Sequence, residues 1–417
     1  MGAVLNLTQP GGGGGGRIEL PLSPGEVYAR TRPADWLELP EPGMGEAYML
    51  FHIPKEGSAL CALSASCTGS FTVAVGTVSG GAFVQGASGT VASGGVWEHE
   101  FDAEDYGNET SGGMRQAVIK LSGQGITSIA PAAHSARAQI MQWNIVDIRC
   151  LLPDGALFLC GGQNARSALT ALRYFSGGGG KLAAGTGSGT RVGMFQFCES
   201  LLAAQGIDTA GQEDMSAMFS NCPSLIAAPE LDTSSAEDVS SMFLNCAALT
   251  AAPELDLSSA VTLNGLFRGC GSLSEAPDID APLAGNAQNL FTECGALRAL
   301  GEVKLPAAAS LAAAFQNCTA LGRVERLKIA AATNLNVAFS NCALLGGIRL
   351  DPAVTGWAGA ALSFANCAMG HAALSALLES LPSVSAGTLT LTGNRGAGEL
   401  TAAEISAAEA KGWTVTV

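Results

Sequence analysis

One feature limits the folds open to this chain more than any other: a motif that returns every 24 residues through its second half. Phe-x-x-Cys occurs as Phe195/Cys198, Phe219/Cys222, Phe243/Cys246, Phe267/Cys270, Phe291/Cys294, Phe315/Cys318 and Phe339/Cys342, and Phe364/Cys367 closes the series one residue late. A leucine follows each of the first seven cysteines by three residues, at Leu201, Leu225, Leu249, Leu273, Leu297, Leu321 and Leu345. A further apolar column reads Ile207, Leu231, Leu255, Ile279, Val303, Leu327. Apolar columns held in register over this length predict a solenoid of about eight turns, in which each turn buries its Phe, Cys and Leu only by stacking on the next.

The repeat also explains most of the cysteines. Eight of the 12 occupy one column of the ladder, where a small apolar residue is needed. No second ligand stands two to four residues away within a turn, as a zinc site would require. Buried reduced thiols are therefore expected there, and the states of Cys61, Cys67, Cys150 and Cys160 are left open.

Outward positions follow from strand alternation. If Leu231 and its copies point inward, their neighbours form two surface columns: Glu230, Glu254, Asp278, Glu302, Arg326, and Asp208, Asp232, Asp256, Asp280, Lys304, Lys328. The face is acidic along its first turns and basic along the later ones. At a spacing of ~4.8 Å, like charges in water repel by only about 1 kcal/mol. Such a stripe needs no ligand to be tolerated, and the candidate binding surface stands beside a plain solvated face.

Segments with the form MFSNCPSLIAAPELDTS (218–234) resemble the BspA-like leucine-rich repeat of bacterial surface proteins, over about residues 165–417. After Asp280 the Pro-x-Leu-Asp element decays and Ala replaces Met. The resemblance implies surface recognition and adhesion by analogy. The end of the chain, LTGNRGAGELTAAEISAAEAKGWTV, also resembles the end of such proteins. There Thr401-x-x-Glu404 predicts a capping box opening a short helix to about Lys411, stopped by Gly412 and followed by a last strand from Trp413. Together these form a cap over 399–417.

The first half reads differently. Residues 1–24 form a Gly-rich arm. Short apolar or alternating runs follow, AYMLFHIP (47–54), SFTVAVGTV (70–78), VWEHEF (96–101), RQAVIKLSG (115–123) and NIVDIRC (144–150). They predict a β-sandwich or jelly roll over 25–160. A transition over 161–193 leads into repeats over 194–398. The fold class expected is thus mainly β: a sandwich, then a leucine-rich-repeat-type solenoid with a helix-strand cap. DWLELP…EAYMLFHIP and DYGNETSGGM resemble, less specifically, the leading domain of BspA-repeat proteins of gut bacteria and their prophages, many of which resemble tail-fibre or receptor-binding proteins.

Composition excludes several functions. A net charge of −15 argues against nucleic acid as partner. No run approaches the roughly 20 apolar residues of a membrane span, and the N-terminus lacks the basic n-region and apolar core of a secretory signal. GGGGKL (177–182) resembles a phosphate loop, but Leu182 stands where Ser or Thr must hold the metal. The Asp102–Gly107 run lacks the ligand spacing of a calcium loop. His52, His99, His134 and His371 are scattered without metal or triad spacing. Trp36, Trp97, Tyr106 and Trp143 are candidates to stack on a sugar, although aromatics in short strands more often belong to cores.

These readings converge on a non-enzymatic phage or prophage tail-fibre or receptor-binding protein. It is expected in a virion or at a cell surface, needing no cofactor or metal. Its solenoid meets a bacterial surface polysaccharide or protein receptor, its N-terminal region meets other virion proteins, and a homo-oligomer is open. The alternatives are a bacterial cell-surface adhesin and a glycan-active enzyme targeted by its solenoid. The candidate surface is Glu230, Asp232, Glu254, Asp256, Asp278, Asp280, Glu302, Lys304, Arg326 and Lys328, with Trp36, Trp97 and Tyr106 as a second choice.

Overall fold

A computed structural model describes residues 22–56, 58–132, 144–153, 156–161, 168–177, 193–332, 334–350 and 361–417. Nearly all of the Gly-rich arm, His134, Trp143 and most of the GGGGKL segment lie outside the described residues. The chain is mainly β, with a β-solenoid of about nine turns in its C-terminal region. It divides into two compact units. Among the described residues, one comprises those up to Ala210 with Met218–Leu231, and the other Gly211–Ala217 with Asp232–Val417.

The first unit opens with a helix that strand patterning did not predict, α1 (Pro24–Thr31). Ser23 and Glu26 form a capping box, and a proline occupies the first turn. The arm therefore ends where these start signals begin. The strands are β1 (Glu46–Pro54), β2 (Ser58–Ser66), β3 (Ser70–Ser79), β4 (Ala82–Ala92), β5 (Val96–Asp102), β6 (Met114–Gly123), β7 (Ser128–Pro131), β8 (Ile145–Leu151), β9 (Leu157–Phe158), β10 (Tyr174–Gly177) and β11 (Ala203–Gln205). They form a seven-stranded sheet in the order β11-β10-β8-β1-β6-β3-β4 and a four-stranded sheet in the order β5-β2-β7-β9. Phe51 of β1 stacks on Phe101 of β5 at 4.3 Å, so the two sheets share core side chains.

All five expected runs are strands. The expected transition over 161–193, however, holds β10, which pairs parallel with β8 on one side and β11 on the other. The N-terminal sheet thus supplies the edge on which the first solenoid strands are laid. Helix α1 is held to this sheet by a buried ion pair: Arg32 Nε donates to Asp147 Oδ2 at 2.9 Å, with side chains 8% and 2% exposed. Burial raises the Asp147 pKa, and Arg32 pulls it partly back.

The second unit shows how a turn is built. Residues two before each phenylalanine and two after it take left-handed backbone conformations: Ser241 and Asn245, Gly265 and Gly269, Asn289 and Glu293, Ala313 and Asn317. With these between right-handed residues, alternate N–H groups all face the next turn. Ser241, Phe243 and Asn245 donate to the carbonyls of Asn264, Leu266 and Arg268 at 2.9, 2.9 and 2.7 Å. Gly265, Phe267 and Gly269 then donate to Gln288, Leu290 and Thr292 at 2.8, 3.0 and 2.8 Å. Asn and Gly dominate the position before each cysteine because they enter this region at least cost. Asn317, Asn341 and Asn366 also link their side-chain amides at 3.0 and 3.2 Å.

Inside, Phe243, Phe267, Phe291, Phe315, Phe339 and Phe364 stack face to face with centroids 4.9–6.0 Å apart. The cysteines are reduced thiols, and burial raises the pKa of Cys270, Cys294 and Cys318. They do more than fill space. The Sγ–H reaches back to the phenylalanine carbonyl of the preceding turn from Cys270 to Phe243, Cys294 to Phe267 and Cys318 to Phe291 at 3.0–3.1 Å. The first unit repeats this from Cys222 to Phe195. Cys61, Cys150 and Cys160 are likewise buried, reduced thiols, and Cys67 is half-buried.

Among the described turns of the second unit, a parallel sheet starts at the Pro277–Asp280 element and continues through the turns where that element has decayed. Its strands are β12 (Ile279–Asp280), β13 (Ala299–Lys304), β14 (Arg323–Lys328) and β15 (Gly347–Leu350), paired parallel in that order. Residues 229–232 and 253–256 form no strand, and Leu231 and Leu255 are half-buried rather than fully inward. The solenoid closes with β16 (Ala361–Ser363), α2 (His371–Ser380), β17 (Gly387–Thr390), α3 (Ala402–Glu409) and β18 (Trp413–Thr416). Helix α2 was not expected within the repeats; Leu374, Leu377 and Leu378 bury its apolar side. β17 pairs parallel with β16 and with β18, and the solenoid has about nine turns where eight were expected.

In the β17 rung Asn394 takes the cysteine position. Its amide donates to Phe364 O at 2.8 Å, as the thiols do, while Oδ1 accepts from Met369 N. Thr401 and Glu404 form the expected capping box, and Trp413 is buried, donating to Pro382 O at 2.8 Å. Strand β18 accepts the outward N–H of Leu391 through Thr416 O.

Two outcomes follow. Native protein will resist thiol alkylation at Cys270 and Cys318 until it unfolds. A serine at 318 has an acceptor ready, so Cys318→Ser and Cys318→Ala will differ in unfolding free energy by less than about 1 kcal/mol; a far larger penalty for serine would show that the Phe291 carbonyl is not within its reach. At the cap, Trp413→Ala will cost about 3–5 kcal/mol by chemical denaturation, and a loss below about 1 kcal/mol would mean that β18 does not seal the core.

Candidate functional site

The charged columns are brought onto one sheet only in the later turns. In-register pairing sets Asp280 beside Lys304, Glu302 beside Arg326, and Lys304 beside Lys328. The basic end is consequently not an open cationic surface. Lys304 Nζ lies 3.0 Å from Asp280 and 3.2 Å from Glu302, and Lys328 Nζ and Arg326 reach Glu302 at 2.6 and 3.6 Å. Glu302 is the hub of this net. The hydrogen bond from Lys328 lowers its pKa most, followed by that from Lys304, and the bond to Asp280 raises that of Lys304. Exposed pairs of this kind contribute little to stability, but they set the surface potential: the expected basic patch is largely neutralised.

The acidic end has a structural task that alternation did not reveal. Asp232 Oδ1 accepts from both the backbone N–H and the hydroxyl of Ser234 at 3.0 and 2.7 Å. Asp256 Oδ1 accepts from Ser258 N at 3.0 Å, and the Ser258 hydrogen bonds lower its pKa. Asp214 and Asp238 do the same for Ser216 and Ser240. These are Asx turns, in which a short side chain replaces a backbone acceptor. The sequence signal was present as recurrent Asp-x-Ser. Asp278 Oδ1 accepts from Glu302 N at 2.8 Å. The carboxylates of Asp232, Asp256 and Asp278 nonetheless remain exposed, as do Glu230 and Glu254.

The aromatic alternative is corrected by burial. Trp36 and Trp97 are 8% and 6% exposed, so neither offers a ring face to a sugar; Tyr106 is half-buried and tilts against Phe101. Trp36 meets His52 and Tyr174 edge-on, and Trp97 stacks on His99 at 5.6 Å. Both indoles are core residues: Trp36, in the loop after α1, packs with Tyr48, Leu50, Val118 and Tyr174 on one face of the seven-stranded sheet, and Trp97 lies on β5.

Among the described residues no three His, Cys, Asp or Glu side chains are grouped to hold a metal. No helix among them is long and apolar enough to cross a membrane. A shallow depression at the start of β14 and β15 is lined by Gly322, Arg323, Val324, Glu325, Gly346, Gly347 and Ile348. No family model matches the chain, and no curated protein is similar to it.

His52 gives the first unit a measurable pH response. It is 8% exposed, its Nε2 has no hydrogen-bond partner, and burial lowers its pKa to about 4, against a partial opposing pull from Asp35. Its folded pKa lies below its unfolded one, so its contribution is constant above about pH 7. Stability is lost as pH falls from about 6.5 to about 4, by up to about 3 kcal/mol. Urea titrations at pH 7 and 4.5 will show a smaller loss for His52→Gln than for the parent. Equal losses would mean that His52 does not stay neutral in the fold.

Proposed function

We propose that this chain is a non-enzymatic recognition protein, of the tail-fibre or receptor-binding kind, that meets a bacterial surface polysaccharide or protein receptor along its solenoid. In this reading the repeats are BspA-like leucine-rich turns and the two N-terminal sheets form a sandwich. The N-terminal unit carries the attachment to other virion proteins. The observation that carries the proposal is the contrast between inward and outward positions of one ladder. Phe, Cys and Leu repeat inward in turn after turn, while the outward positions change from acid to base at fixed spacing.

A backbone locked turn to turn presents those groups with little loss of conformational freedom on binding, which favours affinity for an extended, repetitive ligand. The self-paired net around Glu302 directs attention to the acidic turns, Glu230, Asp232, Glu254, Asp256 and Asp278. Unlike the later turns, they keep exposed carboxylates without a lysine or arginine beside them in the same column. Such a face suits a cationic or amine-bearing polymer, with attraction weakened by salt.

Charge reversal at Asp232 and Asp256 would also break the Asx turns, so asparagine is the cleaner test. Asparagine keeps the acceptor oxygen and removes the charge. A variant carrying Asp232→Asn, Asp256→Asn and Asp278→Asn will keep its melting temperature within a few degrees and bind target bacterial cells several-fold more weakly at low salt. Binding equal to that of the parent would reduce the stripe to a solvated face and overturn its assignment as the recognition surface.

A further inference from the structure

A polar pocket of about 260 Å³ opens on the first unit, lined by Glu41, Pro42, Arg149, Leu151, Ser176 and Gln205. These residues come from the stretch after α1 and from β8, β10 and β11. Strand pairing sets three of them in one row. Ser176 stands opposite Arg149 of β8 on one side and Gln205 of β11 on the other, and both pairings are parallel. Neighbouring strands lie ~4.8 Å apart, so a guanidinium, a hydroxyl and an amide follow one another at that step.

Two residues back along each strand the corresponding row is Asp147, Tyr174 and Ala203. Alternation puts both rows on one face of the sheet. The earlier row is buried under α1 and the residue after it: Arg32 takes Asp147, Tyr28 packs edge-on against Tyr174, and Val27 packs with Ala203. The later row is only half-buried. Its side chains are nonetheless held in place. Gly206 has a φ of 68°, and a Cβ there would collide with Gly177 O, so glycine lets β11 close against the end of β10. Gln205 Nε2 donates to Ser176 Oγ at 3.4 Å. Arg149 donates to Leu39 O, Tyr28 Oη, Glu38 and Glu41. Glu41 is itself 88% exposed and brings a carboxylate to the rim.

We infer that this pocket binds one ring of a neutral saccharide through its hydroxyl groups. Ser176 and Gln205 each donate and accept, and Glu41 accepts, which is the mixture that neighbouring hydroxyls require. The ~4.8 Å step of the row is close to the separation of alternate hydroxyls on a six-membered sugar ring. Pro42 and Leu151 supply apolar surface for the C–H groups of that ring, and the volume admits a single ring rather than a length of polymer. An anionic sugar is disfavoured. Arg149 already has Glu38 at 2.9 Å and Glu41 at 2.8 Å, so an added carboxylate meets like charge instead of a free cation. The inference concerns the first unit and does not rest on the acidic turns of the solenoid.

The test uses the full chain and the methyl glycosides of glucose, galactose, mannose and N-acetylglucosamine, titrated by ligand-observed NMR. At least one will bind with a Kd of about 1–10 mM, and its uronic-acid counterpart will bind more weakly. A variant with Ser176→Ala and Gln205→Ala will bind that glycoside about ten-fold more weakly with an unchanged melting curve, since two hydrogen-bonding groups are lost. If it does not fold, Glu41→Ala decides: an exposed charge contributes little to stability, and its loss will weaken the same glycoside several-fold. No binding of any of the four at tens of millimolar, tighter binding of the uronide, or binding by the folded double variant or by Glu41→Ala equal to that of the parent would overturn the inference.

Discussion

The solenoid depends on one arrangement: three alternate N–H groups around each phenylalanine, all aimed at the carbonyls of the next turn. That arrangement requires left-handed backbone at two positions per turn, which is why asparagine or glycine so often precedes the cysteine. Once the bonds form, the spacing between turns is fixed at the ring-stacking distance of the phenylalanines. Backbone bonding and side-chain packing therefore demand the same register, a consistency that favours a single fold. The thiol column belongs to the same device, since the Sγ–H of Cys222, Cys270, Cys294, Cys318, Cys342 and Cys367 returns to a phenylalanine carbonyl of the turn before. Where Asn394 replaces the cysteine, it keeps the bond and changes only the donor.

A stack whose turns all donate in one direction has two unlike ends. At the start, carbonyls lack donors, and the first unit supplies them: Cys160 and Gly161 both donate to Met194 O, at 2.9 and 2.7 Å. Gly161 must be glycine there, because a Cβ would collide with Gly193 O and Gln196 N. At the finish, N–H groups lack acceptors, and β17 and β18 supply them through Thr390, Thr392 and Thr416. The segment after β9 and the C-terminal cap thus solve complementary hydrogen-bonding problems, in keeping with the cost of leaving buried backbone groups unpaired.

The charged face shows a division of labour along the same ladder. In the earlier turns aspartates close Asx turns and so shape the backbone while remaining exposed. In the later turns, once flat strands replace those turns, lysine and arginine enter the same columns and pair with Glu302. A partner meeting the whole face would find fixed negative charge at one end and a largely neutral net at the other.

Much of this was legible in the sequence. The 24-residue period alone required a stacked core of Phe, Cys and Leu, because no single turn has enough apolar surface to be stable. The Thr401–Glu404 capping box and the strands β1, β3, β5, β6 and β8 were readable because their signals are local. Local signals for α1 and α2 were also present, in Ser23-Pro24-x-Glu26 and in the spacing of Leu374, Leu377 and Leu378. Other features belonged to the tertiary structure. Strand β4 carries no burial pattern, so its pairing with β3 could not be seen in its residues. The parallel addition of β10 to the N-terminal sheet joins segments far apart in sequence. Whether Trp36 and Trp97 face solvent or core, and whether Lys304 and Lys328 are open or paired, depends on which strands become neighbours. Periodicity determines what must stack, but only three-dimensional pairing determines which side chains are left facing water.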